Sequence, residues 1–178
     1  MIVQKLIRAK YKWLFPIVID NNVILLYNKL YSKGQLFMKS TLKQLSPNIS
    51  IDKIQESDDV IYVYCHQKNR STICPKCNEK ISSVHSIHSR KIQDLPVQGK
   101  TVFLIPKVRH FHCRKCNLIF TEELEYASKT AHKTKRLTEL ILDHSCSISS
   151  LTSQSALNKQ GVIVKKSTIC AYQKKRYS

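Results

Sequence analysis

The spacing of apolar residues changes along this chain, and the change divides it. From Val60 to Thr121 they alternate or run in β-branched and aromatic blocks, "VIYVYCH" and "TVFLIPKVRHFHC". That is the pattern of strands in a small antiparallel sheet. Pro106, inside the second block, marks an edge or a bulge, because it offers no amide to a ladder. Pro96 and Gly99 in "QDLPVQGKTV" bracket a turn between strands.

After Ala127 the period becomes helical. Leu137, Leu140, Ile141 and His144 recur at the spacing of one helix face. "SISSLTSQSALNKQG" predicts a second helix, with serines available as N-caps and Gly161 just past its end. "VIVKKSTICAYQKKRYS" predicts a connector and a third helix capped by Ser167. Short helices ending in a basic one follow the order of a helix-turn-helix domain.

The N-terminal part fits neither pattern. Residues 1–37 show no clear period and stand as an extension of uncertain status, whereas Met38 opens a more conventional run and is a candidate translation start. The expected division is therefore 1–37, a β domain over 38–126 and a helical domain over 127–178. "WLFPIVIDNNVILLY" is apolar, but Pro16 and the polar Asp20 to Asn22 interrupt it short of the roughly 18 apolar residues a membrane helix needs. No small-residue cleavage site follows the basic N-terminus, so neither membrane insertion nor secretion is expected.

Charge narrows the partner. Lys and Arg total 30 against 12 acids, a formal +18 in a chain of 178 residues whose 42% hydrophobic content is enough for a core. Each cation that neutralises a phosphate releases a condensed counterion, so a polyanion is the expected partner. DNA, RNA and membrane surfaces all satisfy this. Asp143 is the last acid, and Lys159, Lys165, Lys166, Lys174, Lys175 and Arg176 follow it, which places the polyanion face at the C-terminal end.

Cysteine supplies the chemistry. Of seven cysteines, Cys74 with Cys77 and Cys113 with Cys116 form two Cys-x-x-Cys pairs. That pattern indicates metal binding in a reducing, cytoplasmic compartment rather than a disulfide framework. Cys65, Cys146 and Cys170 are isolated and read as small core residues. Two pairs of soft ligands suit tetrahedral Zn2+. Each pair is followed by an Asn, Asn78 and Asn117, which tolerates the left-handed backbone of a knuckle, and Pro75 pre-sets φ inside the first. Four thiolates close the coordination sphere, so the metal's expected role is structural. The His-x-Glu motif of a zinc deaminase is missing from the chain. His85, His88, His110 and His112 lie in the spacer as surface histidines or as a substitute for one Cys ligand.

"CPKC", "VHSIHSRKIQDLPVQGKTVFLIPKVRHFHCRKC" and "IFTE" together resemble the N-terminal region of insertion-sequence transposases of the ISL-three family, from about Leu45 to about Ser178. The matching positions are His85, Ser86, Arg90, Asp94-Leu95-Pro96, Gly99, Val108, Arg109, Phe111, Cys113, Phe120-Thr121-Glu122, Thr134, Arg136 and Leu137. Val97, Ile87, His88 and Lys165 depart from the family's pattern, the last standing where a Ser caps the recognition helix.

The resemblance implies an α+β chain: a small antiparallel zinc-ribbon-like β domain, then a three-helix helix-turn-helix domain. It implies zinc on Cys74, Cys77, Cys113 and Cys116. It also implies double-stranded DNA, at transposon terminal repeats, on Lys165, Lys166, Ser167, Thr168, Gln173, Lys174, Lys175 and Arg176. Self-association, or association with an intact transposase on the nucleoid, would accompany it. Family members continue into a catalytic domain whose carboxylates hold two metal ions. This chain has no acid after Asp143, so it is expected to be a truncated, non-catalytic copy. Asp58, Asp59, Glu122, Glu123 and Glu125 read as solvated charge. The alternative is a zinc-ribbon RNA-binding or protein-interaction module, which the composition fits equally well.

Overall fold

The computed structural model describes residues 45–146 and 148–177; the 1–37 extension and the Met38 start lie outside them. The strands are β1 (Ile49–Glu56), β2 (Val60–Gln67), β3 (Thr72–Ile73), β4 (Lys80–Ile81), β5 (Val84–Ser89), β6 (Ile92–Val97), β7 (Lys100–Cys113) and β8 (Leu118–Thr121). The helices are α1 (Lys135–Ser145), α2 (Ser150–Lys159) and α3 (Lys166–Tyr177). The chain is α+β, as expected.

The 14-residue β7 is the spine. β6 pairs antiparallel with its first part, β5 with its second, and β8 with its end, while β2 carries β1 antiparallel on its far side. One pairing departs from the all-antiparallel expectation: β2 runs parallel to β7, Val60 opposite Thr101 through His66 opposite Lys107. Between these strands the chain runs through β3 to β6, and the last two lie antiparallel to β7. It therefore enters β7 in the direction of β2. Side-chain alternation is the same in both kinds of ladder, so the sequence pattern carried no information on this point.

Pro106 lies in the central strand rather than at an edge. It does mark a break, in its partners: β5 ends opposite Lys107 and β6 begins opposite Leu104, with the Arg90 amide donating to the Pro106 carbonyl at 3.2 Å. The turn between β6 and β7 is a two-residue hairpin, Gln98 at φ 53° and Gly99 at φ 75°. Two positive φ values match the strand twist in such hairpins. Val63, Cys65, Ile92, Val102, Leu104 and Val108 form the buried face of the sheet.

The helices share a core of Leu137, Ile141, Leu157, Val162, Val164 and Ile169, against which Leu95 of β6 packs. Ser149 caps α2, its hydroxyl accepting from the Thr152 amide at 3.2 Å. At the other end Val162 N–H reaches the Leu157 carbonyl and Gly161 N–H that of Asn158, a Schellman termination with Gly161 at φ 86°. Three sequence expectations change. Leu140 is 38% exposed, because the inward face of α1 runs through Leu137, Ile141 and Ser145. α3 starts at Lys166 rather than after a Ser167 cap, the Lys165 carbonyl accepting from Thr168 and Ile169. Burying Val162 and Val164, with the Val164 amide on Asn158 Oδ1, delivers the chain into the helix sooner. Among the lone cysteines only Cys65 is in the core; Cys146 is exposed just past α1 and Cys170 is half-buried. Burial pushes the Cys65 thiol up to about 12, which keeps it inert.

A polar seam joins sheet to helices. Asp94 of β6, 1% exposed, accepts from the Thr134 hydroxyl at 2.7 Å and from the Arg136 guanidinium, with Nε at 2.8 Å. Thr134 in turn caps α1. Arg90 donates to the carbonyls of Ser128 and Ala131, and the Thr101 hydroxyl to that of Gly161. At Gly161 a Cβ would stand 2.7 Å from the Gly99 carbonyl oxygen, so the hairpin turn and the helix termination touch backbone to backbone. Gly161→Ala should therefore cost more than the ~1–2 kcal/mol of left-handed strain alone. A thermal melt within a degree of the unaltered chain would refute that contact.

Candidate metal centre

Each Cys-x-x-Cys pair sits at the tip of a hairpin. Cys74 and Cys77 lie between β3 and β4; Cys113 ends β7 and Cys116 precedes β8. The first knuckle closes by Asn78 N–H on the Cys74 carbonyl at 3.0 Å and Cys74 N–H on the Glu79 carbonyl at 2.8 Å. Asn78 and Asn117 take φ values of 55° and 52°, the left-handed turn expected after each second cysteine.

The hairpins bring all four sulfurs within 4.8 Å of one another, with Cys74 to Cys116 and Cys77 to Cys113 at 3.5 Å. Zn–S bonds of ~2.3 Å in a tetrahedron require sulfurs ~3.8 Å apart, so the cage fits the ion. Cys74 and Cys113 are buried against Phe111 and Ile81, while Leu118 and Phe120 pack around the rim. The thiols respond unequally to this crowding. Burial works against Cys74, but the amides of Cys77 and Lys76 outweigh it and bring the thiol down to about 6. Burial and the three neighbouring sulfurs push Cys116 up to about 12. Four sulfurs so placed can all ionise only around a cation, which a bound dication supplies.

No histidine belongs to this cage. His112 instead donates from its Nε2–H to Asn117 Oδ1, 2.8 Å away, which holds the second knuckle's left-handed residue. His88 stacks on His110 with ring centroids 4.5 Å apart. The surface reading of these histidines therefore fits better than ligand substitution.

Residues 70–116 match the family model described as the zinc-finger of transposase IS204/IS1001/IS1096/IS1165. Residues 70–116 are thus similar to the zinc finger of ISL-three family transposases. No curated protein and no solved structure matches the chain. The four cysteines of this zinc finger fit structural zinc, with no coordination position left for a reacting water.

Some of the positions on which the resemblance rests turn out to be braces. Arg109 grips Glu122 through its guanidinium, and each residue's amide also bonds to the other, Glu122 N–H to the Arg109 carbonyl at 2.9 Å. Glu122 is thus buried and paired rather than solvated. Glu125 accepts from Ser46 and Asn48 at 2.6 and 2.8 Å, and those bonds hold its carboxyl below the usual range.

The residues expected to meet DNA fall on and beside α3. Lys165, Lys166, Ser167, Lys174 and Lys175 are exposed, and Thr168 is half-buried. Gln173 is turned inward enough that its Nε2 donates to the Ser145 carbonyl at 2.9 Å. Arg176 falls in the last turn. With Ile169 buried, the helix period brings Cys170 and Ala171 onto the outward side with Ser167 and Lys174, a face that residue type alone did not indicate. No helix among the described residues is long and apolar enough to cross a membrane.

Proposed function

We propose that this chain is a DNA-binding portion of an insertion-sequence transposase, which reads transposon terminal repeats through α2 and α3 acting as a helix-turn-helix, in the cytoplasm. The observation that carries the reading is the outward side of α3. Ile169 anchors the helix in the three-helix core, and the opposite side presents Ser167, Lys174 and Lys175 with no acid anywhere in the helix. Cations beside short polar side chains suit phosphate contact flanking base readout. The sheet holds α1 through Asp94 and the end of α2 through Gly161, and α3 packs on those two helices through their shared core. Strand transfer is assigned to other residues of such enzymes. Here the buried carboxylates Asp94 and Glu122 are committed to Arg136 and Arg109.

Footprinting on the terminal repeats of a related element tests the reading, protection of the repeats being expected. With about five phosphates neutralised, log K should fall against log salt with a slope of about −4 to −5. Preference for RNA, or a salt-independent interaction with protein, would replace the reading by a different binding module.

A further inference from the structure

The two knuckles converge, and so do the residues inside them. Between the first cysteines stand Pro75 and Lys76; between the second stand Arg114 and Lys115. All four are exposed, and the sulfurs that hold the loops lie within 4.8 Å of one another. Lys80, on the adjoining β4, is exposed as well. The tip of the zinc finger is therefore cationic, and Glu79 is the one acid in its loops.

These cations do not share one task. A dication with four thiolates is a net anion, and a nearby cation offsets it. Lys115 fits that role: it stands between Cys113 and Cys116 and bridges the knuckles to Glu79 at 3.2 Å. With the acid taken by Lys115, Lys76 and Arg114 remain exposed at the tip. We infer that Lys76 and Arg114 form a second contact with the phosphodiester backbone of duplex DNA, separate from α3. The inference rests on the proposed DNA-binding role. Two rigid loops tied to one metal present their charges at a fixed spacing, so little side-chain freedom beyond the stems is lost on contact.

Salt dependence separates this contact from that of α3. The zinc-loaded full chain is compared with Lys76→Ala combined with Arg114→Ala, on duplex carrying a terminal repeat and on unrelated duplex. Loss of two phosphate contacts should flatten the salt slope by about 2 and weaken both duplexes equally. The swap Lys76→Arg with Arg114→Lys should keep the slope. Zinc content, measured in each variant, should remain that of the unaltered chain. An unchanged slope with zinc retained overturns the inference while leaving the α3 reading intact. Lost zinc in the double Ala variant overturns it too, because the cations would then serve the metal. Failure of the unaltered chain to bind duplex, or a preference for RNA, removes both readings.

Discussion

Stripping zinc from this chain should abolish its cooperative melting transition rather than lower it by a few degrees. Binding free energy for a structural zinc of this kind is about 10–16 kcal/mol at neutral pH, which exceeds the whole stability of most domains of this size. The structure shows where the loss enters. Cys74 and Cys113 belong to the same buried cluster as Phe111 and Ile81, and Cys113 is the last residue of β7. Without a cation the four sulfurs cannot all ionise, and the bonds that tie together the hairpins covering Phe111 are lost; β7, which carries one of those hairpins, is the strand on which β2, β5, β6 and β8 all pair. Cys113→Ser should behave like chelation, whereas Cys65→Ser, buried away from the cage, should keep one zinc per chain. Metal analysis alongside a circular-dichroism melt provides the check. A metal-free chain that still melts cooperatively at its original temperature would refute the structural role.

The second large effect should come from Asp94→Ala. The substitution strands the Arg136 guanidinium and removes the acceptor of the Thr134 hydroxyl, which caps α1. Breaking a buried pair by deleting one partner costs about 3–5 kcal/mol, and the partial exposure of Arg136 favours the lower end. Urea denaturation should show a lower midpoint with a similar slope. Glu123→Ala removes the partner of Lys129, but both groups are exposed, at 80% and 58%, and that change should cost under ~1 kcal/mol. Equal losses in the two variants would mean that the seam between sheet and helices contributes nothing beyond surface charge.

The metal site was almost fully legible in the chain. Cys-x-x-Cys followed by Asn encodes a knuckle in consecutive residues, so ligands and turn geometry come from local chemistry alone. The same holds for a serine cap on α2, for Gly161 and for the turn at Gly99, where a cap or a glycine's positive φ is a local property; that the cap is Ser149 and that Gln98 shares the turn came from the structure. Ser167 misled because capping by type is only a competitor: burial of Val162 and Val164 brought the helix start forward to Lys166. Glu122 misled in the opposite way, since nothing in "FTEELE" shows that Arg109 lies across the hairpin.

What the sequence by itself determined was composition-driven or local: an α+β chain, two hairpin knuckles for zinc, three short helices after Ala127, and basic charge unopposed by acids at the C-terminal end. Only the tertiary structure decided that β2 lies parallel to β7, that Asp94 binds the helices to the sheet, and that Lys76 and Arg114 share one tip. Each of these depends on residues distant in the chain meeting at one place. Hydrophobic period and spacing specify which side of an element is buried, but not which distant element buries it.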